Sequence, residues 1–142
     1  MVTCPCCGRC NRIPTAASGA PRCAGCGAPL PWLTSAGDAD FGEVVIESSL
    51  PVLLDLSAPW CGPCRTAWPG VEQAAHAFAG RLKAVVVNVD EAVSVAARFR
   101  AHSIPTLLLL RAGQVQVRQV GAVPADALLH WVGSALDQPP PG

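Results

Sequence analysis

The sequence predicts an α/β fold with a mixed central sheet and helices on both faces, preceded by a small cysteine-rich module. Two apolar runs, Pro51 to Ser57 and Leu82 to Val89, flank a segment with helical periodicity. Such a strand–helix–strand crossover implies parallel strands. Two later runs joined by Ala112-Gly113 predict a hairpin, which adds antiparallel strands. The cysteine-rich module is indicated because six of the eight cysteines precede residue 27.

The composition limits the possible functions. A chain of 142 residues with 51 % hydrophobic residues suits one domain plus a small appendage. A net charge of zero without a basic patch argues against nucleic-acid binding. No apolar run approaches the ~18 residues of a membrane helix, and no signal peptide is visible at the N-terminus. We therefore expect a cytoplasmic protein without membrane contact, in which clustered cysteines are more often metal-binding or catalytic than structural disulfides.

The N-terminal cysteines form two Cys-x-x-Cys pairs, each followed by glycine. Fifteen residues separate the pairs, a spacing typical of a four-thiolate zinc site. The predicted ligands of one structural Zn²⁺ per chain are Cys4, Cys7, Cys23 and Cys26. Because the segment has little apolar surface, we expect the metal to supply its folding free energy. The alternative is a flexible cysteine-rich tail that oxidises or scavenges metal.

Cys6 and Cys10 are surplus to this pattern, because their spacing matches neither pair. We interpret both as non-ligands, although an exchange of ligands or a redox role stays open.

The pattern of turn residues and periodicity divides the chain. We predict a zinc ribbon at 1–30, a linker at 31–37, a main domain at 38–137 and a disordered tail at 138–142. Trp32-Leu33 is interpreted as a short edge strand or as the residues that pack the ribbon onto the main domain. From Asp38 the spacing of apolar residues predicts a helix of about ten residues.

Asp55 interrupts the apolar run of the first main strand. A carboxyl group on a buried strand is costly unless it is neutral, paired or solvated, and burial should raise its pKa. The alternative is an acid at the end of the strand that faces solvent.

The pair Cys61 and Cys64 lies where this strand leads into a helix. A cysteine at a helix N-terminus faces unpaired N–H groups and the positive end of the helix dipole, which favour the reactive thiolate. Cys64 lies one helical turn away and can close a disulfide with Cys61. A metal half-site is the alternative, weakened because no cysteine follows Cys64.

The remaining elements follow from spacing. The helix after Cys64 ends at Gly80 and contains Pro69, which should kink it. Asp90 can cap a helix from Glu91 to about Ala101. The hairpin strands are Thr106–Arg111 and Gln114–Val120, and Pro124 begins the last helix.

The string Trp60-Cys61-Gly62-Pro63-Cys64 resembles the active site of thioredoxins. Together with Asn11-Arg12-Ile13-Pro14 between two cysteine pairs, it resembles the zinc-binding bacterial thioredoxins of the thioredoxin 2 type. This resemblance implies the thioredoxin fold and reduction of disulfides in client proteins, without an organic cofactor. It implies that Cys61 attacks, that Cys64 resolves, and that Asp55 relays protons through water. An NADPH-dependent thioredoxin reductase would be the electron donor.

The resemblance also suggests where a client protein docks. Ile104-Pro105 resembles the cis-proline loop of the family, although an ordinary trans proline is the alternative. The implied docking residues are Trp60, Gly62, Pro63, Ile104, Pro105 and Gly121. His102, close by, is interpreted as a surface residue.

Two residues depart from the family pattern. Many relatives carry lysine in place of Val86, beside the buried acid, and an aromatic residue in place of Ser57. Valine should leave Asp55 drier and raise its pKa further, while serine should remove packing behind the active site.

Two other functions stay open. In a metal-responsive binding module, the ribbon would hand over zinc or recognise a partner. In a disulfide oxidant or isomerase, the electron flow would reverse, although Gly62-Pro63 between the cysteines resembles the reducing class.

Overall fold

A five-stranded mixed sheet forms the centre of the computed structural model, which describes residues 2–13 and 19–138. The strands lie in the order β3-β5-β4-β6-β7, in which β3 and β4 run parallel to β5, and β6 runs antiparallel to β4 and β7. The five strands are β3 (Leu33–Ala36), β4 (Val52–Ser57), β5 (Lys83–Asn88), β6 (Thr106–Arg111) and β7 (Gln114–Val120). The predicted mixed sheet is thus confirmed, and the hairpin strands have the predicted bounds.

Helices cover both faces of this sheet. One face packs against α1 (Gly62–Ala77) and α3 (Ala125–Leu136), and the other against α2 (Val93–Arg98) and a short π-helical segment, Gly42–Ile46. Successive strand residues point to opposite faces. Leu54 and Leu56 accordingly lie in the core on the α2 side. Asp55, between them, therefore points to the face that α1 covers.

The N-terminal segment forms a separate small unit. Its strands β1 (Val2–Thr3) and β2 (Cys10–Asn11) pair antiparallel. Among its described residues, 2–13 and 19–30, the apolar cluster buries Cys4, Cys23 and Leu30. Such a small cluster agrees with the expectation that the apolar core alone is too small to fold this unit.

The helix predicted from Asp38 is shorter than expected. The structure has five residues of π-helix, Gly42–Ile46, in which the Glu47 N–H donates to the Gly42 carbonyl oxygen at 2.9 Å. The helix stops because the Ser48 hydroxyl bonds the backbone of Leu50, just before Pro51.

The predicted cap of α2 is wrong. Helix α2 spans Val93–Arg98, and the Asp38 carboxylate, more than fifty positions earlier, accepts from the N–H groups of Ser94 and Val95. Asp90 instead accepts a hydrogen bond from the Trp60 indole. Compared with the predicted helix from Glu91 to about Ala101, α2 starts later, at the residues that Asp38 caps, and also ends earlier.

The segment predicted as a linker contains a strand. β3 (Leu33–Ala36) pairs with β5 at the edge of the sheet, and Trp32 is buried beside it. The suggested edge strand therefore exists and is longer than Trp32-Leu33. The predicted tail at 138–142 lies outside the described residues from 139 onward.

In the part of the chain that the structure describes, no helix combines the length and hydropathy needed to cross a membrane.

Candidate active site and candidate metal centre

Cys61 and Cys64 form a disulfide at the start of α1, with their Cα atoms 5.2 Å apart. Cys61 is the N-cap residue, and its Sγ accepts from the Cys64 N–H at 3.2 Å. Pro63 occupies the first turn, where its missing N–H is tolerated. Donation by a helix N-terminal N–H to a sulfur favours the thiolate over the thiol. The geometry therefore suits Cys61 as the sulfur that carries negative charge after reduction.

Asp55 lies behind this disulfide with only 1 % of its surface exposed. Its neighbours across the sheet are the apolar residues Val86 and Leu107. Within the described residues its Oδ1 has no hydrogen-bond partner. Burial away from water raises the pKa of this carboxyl from 3.8 to about 7. The predicted burial of Asp55 is confirmed, and the solvent-facing alternative is wrong.

A cavity of about 520 Å³ opens beside Asp55 and Cys64. Its wall also contains Ser57 and Val86. A cavity of this size admits water, which needs polar partners such as the free Oδ1 of Asp55. Ser57, the position at which missing packing was expected, therefore borders the open space beside the acid.

The loop before β6 brings backbone atoms to the disulfide. The Ile104–Pro105 peptide bond is cis, as the resemblance implied. Cys61 Sγ lies 3.8 Å from the Ile104 carbonyl oxygen. The Gly121 N–H donates to the Pro105 carbonyl oxygen at 2.8 Å, and a side chain added at Gly121 would meet open space.

Trp60 projects from the rim of this site with 65 % of its surface exposed. Its indole Nε1 donates to Asp90 Oδ2 at 2.6 Å, which fixes the orientation of the ring. Six predicted docking residues thus lie on the loops and the helix start around the disulfide. His102 is exposed, as interpreted from the sequence.

Four cysteine sulfurs gather in the N-terminal unit, where Cys4, Cys7, Cys23 and Cys26 place their Sγ atoms within 4.8 Å of one another. The distances Cys4–Cys26 and Cys7–Cys23 are both 3.5 Å. Tetrahedral Zn–S bonds of about 2.3 Å would place neighbouring sulfurs roughly 3.8 Å apart. The donor set and its dimensions can therefore hold a metal ion, and Cys6 and Cys10 lie outside the group.

Each cysteine pair lies in a tight turn, here called a knuckle. The first knuckle (Cys4–Arg9) and the second (Cys23–Ala28) have the same two backbone hydrogen bonds. In each, the N–H of the first cysteine donates to the carbonyl oxygen five residues later, and the N–H of the glycine after the second cysteine donates to the carbonyl oxygen of the first cysteine. Gly8 and Gly27 have φ of 79° and 75°, a conformation that disfavours other residues. Hydrogen bonds from the Cys26 backbone and then that of Gly25 lower the pKa of the Cys23 thiol to about 6, which favours the thiolate that binds metal.

Sequence reasoning missed what two residues do at these sites. Asp90, which was expected to cap a helix, orients Trp60, and Asn11 bridges the knuckles. Of these only Asn11 left a trace in the sequence. It lies seven residues after Cys4, whereas the apolar Leu30 lies seven residues after Cys23.

Comparison with known proteins agrees with this geometry. Residues 33–134 match the Thioredoxin family model. A thioredoxin of Haemophilus influenzae and thioredoxin 1 of Synechococcus elongatus are each 48 % identical over 99 residues, which cover 70 % of this chain and 92 % of each relative. A chloroplastic M-type thioredoxin of Chlamydomonas reinhardtii is 41 % identical over 100 residues, 70 % of this chain and 71 % of the relative. The family match and these relatives agree with the mixed sheet and with the Cys-Gly-Pro-Cys disulfide at a helix start. The chain therefore belongs to the thioredoxin family and is a thiol–disulfide oxidoreductase.

Proposed function

We propose that Cys61 and Cys64 are the reacting sulfurs of this protein-disulfide reductase, with Cys61 as the attacking one. The observation that carries this assignment is the position of Cys61 Sγ. It accepts the Cys64 N–H at the N-terminus of α1 and lies 3.8 Å from the Ile104 carbonyl, on the loop that faces the disulfide. Cys64 lies inside the first turn, beside the cavity that contains Asp55.

In the reduced protein, the Cys61 thiolate attacks a client disulfide. A Cys61–client disulfide forms, and the displaced client sulfur leaves as a thiolate that takes up a proton. Cys64 then loses its proton, attacks Cys61 Sγ and releases the second client sulfur. Two electrons have passed to the client, and the Cys61–Cys64 disulfide is restored.

Asp55 is proposed as the base that accepts the Cys64 proton. Because its pKa is raised to about 7, it can both take up and return a proton near neutral pH. The cavity of about 520 Å³ that borders both residues leaves room for water to carry the proton. Trp60, Gly62, Pro63, Ile104, Pro105 and Gly121 are proposed as the surface on which the client docks.

The four-cysteine cluster is proposed as a structural zinc site of the thioredoxin 2 type. Its all-thiolate, closed set of donors is typical of structural rather than catalytic zinc. Zinc would supply a fixed point that joins the two knuckles. The six cysteines of the N-terminal segment support a reducing compartment, for which we propose the cytoplasm, since free thiols persist there.

The division of the chain is proposed as a ribbon at 1–30 and a thioredoxin domain at 38–137. The residues 31–37, expected to be a linker, also supply β3 to the sheet of that domain. Thioredoxin reductase, supplied with NADPH, is proposed as the electron donor, and disulfide-containing proteins as the clients.

The test is reduction of insulin disulfides with NADPH and a thioredoxin reductase, compared between wild type, Cys61→Ser and Cys6→Ser. We expect turnover in the wild type and in Cys6→Ser, which alters an exposed thiol outside both sites, and none in Cys61→Ser. Zinc content, measured on the same samples, should be about one per chain in all three. A zinc-loaded wild type without turnover would contradict the reductase assignment and favour the metal-responsive binding module.

A further inference from the structure

A buried amide, that of Asn11, connects the two knuckles of the cysteine cluster. Asn11 ends β2 and is 8 % exposed. Its Nδ2 donates to the Arg9 carbonyl oxygen in the first knuckle at 3.0 Å. Its Oδ1 accepts from the Ala24 N–H in the second knuckle at 3.0 Å. One side chain therefore holds backbone atoms of both knuckles at a fixed separation.

The same amide reaches a sulfur of the cluster. Asn11 Nδ2 lies 3.5 Å from Cys23 Sγ, and the Gly25 N–H donates to that sulfur at 3.3 Å. Cys23 Sγ thus receives backbone N–H donors from its own knuckle and a side-chain donor, that of Asn11, from outside it. Donors in this outer position orient a ligand and disperse the charge of its thiolate.

Comparison of the two knuckles indicates what the amide adds. They share their backbone hydrogen bonds, and Leu30 follows the second knuckle at the same spacing at which Asn11 follows the first. Leu30 is fully buried in the apolar cluster of this unit. Since an apolar side chain suffices there, the polarity of Asn11 is explained by what it bonds in the other knuckle, and not by the turn to which it belongs.

We propose that Asn11 is a positioning residue of the metal centre, which ties the two knuckles together and holds Cys23 as a ligand, and so slows the release of the metal. This role presupposes the proposed zinc site. It goes further because it assigns the stability of the site to a residue that is not a ligand.

The first test measures the rate at which the zinc-loaded full chain loses its metal to a chromophoric chelator. Asn11→Leu removes all three hydrogen bonds and imitates Leu30. Asn11→Asp keeps the size and the acceptor for the Ala24 N–H but loses both N–H donors. We expect release to be about 10- to 100-fold faster in both variants, the range found for outer partners of metal ligands. Arg12→Ala, at the exposed neighbouring position, is the control and should release zinc at the wild-type rate.

The second test separates positioning from mere support of the fold. In the cobalt-substituted chain, the charge-transfer band from thiolate to Co²⁺ depends on hydrogen bonds to the sulfurs. We expect this band to shift in Asn11→Asp, with one metal still bound per chain, and not in Arg12→Ala. If Asn11→Leu fails to fold, Asn11→Asp decides, because it keeps the volume of the side chain.

Two results would overturn the role of Asn11 and can be told apart. If the wild type binds zinc but Asn11→Asp changes neither the rate of zinc release nor the cobalt band, the role of Asn11 is refuted while the zinc site stays in place. A wild type that holds no zinc would refute the zinc site and the role together.

Discussion

The negative charge of Asp55 is costly to the folded protein. Its carboxyl is buried between apolar strands, and its pKa is raised from 3.8 to about 7 by loss of solvation. Between these two values the folded protein holds a proton that the unfolded chain releases. The free energy of unfolding therefore falls as pH rises through this window, and is lowest, for this group, above pH 7.

We predict that Asp55→Asn raises the free energy of unfolding above pH 7 and has little effect below pH 4. The expected gain is on the order of 4 kcal/mol, because the pKa rises from 3.8 to about 7 and one pKa unit corresponds to about 1.4 kcal/mol. Urea denaturation of both proteins at pH 4 and pH 8 measures it, and loss of disulfide-reduction rate in the variant would accompany it.

Val86→Lys provides the comparison for this prediction, since Val86 pairs with Asp55 across the sheet and lines the same cavity. A cation there should lower the pKa of Asp55, and the stability of the variant should depend less on pH than that of the wild type. NMR titration of the Asp55 carboxyl carbon in both proteins would refute this explanation if the two pKa values agree.

At the scale of elements, side chains from distant parts of the chain fix the helix ends. Helix α2 has only six residues, too few to be stable alone. Asp38 accepts from two N–H groups at its start, and the Arg118 guanidinium on β7 donates to the carbonyls of Phe99 and Arg100 beyond its end. Similarly, Arg111 on β6 donates to the carbonyls of Ala135 and Leu136 at the end of α3. Asp38, in the loop after β3, therefore caps the start of α2, and two arginines of the sheet bond the ends of α2 and α3.

We predict that Asp38→Ala lowers the free energy of unfolding by about 1 kcal/mol, the usual cost of a lost N-terminal cap. Two backbone N–H groups at the start of α2 would lose their acceptor. Thermal denaturation measures the change. Glu72→Ala, which removes an exposed carboxylate from the middle of α1, is the control, and an equal loss in both variants would contradict the capping role.

At the scale of the whole molecule, the thioredoxin domain and the N-terminal unit differ in the size of their apolar cores. The thioredoxin domain has large apolar clusters on both faces of its sheet, whereas the apolar cluster of the N-terminal unit buries, among the described residues, two cysteines and one leucine. The larger unit can therefore fold by burial of apolar surface, and with the proposed zinc site the smaller one would depend on the metal that joins its sulfurs.

We predict that removal of zinc with a strong chelator, under reducing conditions, unfolds residues 2–13 and 19–30 and leaves the thioredoxin domain folded. Two-dimensional ¹⁵N NMR spectra before and after chelation measure this directly. The amide signals of β4 and β6 should keep their positions, and re-addition of zinc should restore the others. Collapse of the entire spectrum would show that the ribbon is required for the fold of the domain.

The sequence predictions were accurate where an element depends on residues close to it in sequence, and wrong where it depends on a distant one. The strands around Asp55 and the hairpin were predicted closely, because continuous apolar runs and the Ala112-Gly113 turn are local signals. The start of α2 was wrong because Asp38, which caps it, is far away in sequence. The four cysteines were correctly brought into one group by their spacing alone.

The sequence by itself determined the chemistry of this protein: a dithiol at a strand-to-helix junction, four further thiols at the spacing of a metal site, and an acid within an apolar strand. These follow from residue type and local spacing, which can be read directly from the sequence. Only the tertiary structure decided the surroundings of these groups. The cavity beside Asp55, the Ile104 carbonyl at Cys61 and the Asn11 amide between the knuckles all arise where distant segments meet. Solvation, and with it the pKa of Asp55, depends on that packing and not on the neighbours in sequence.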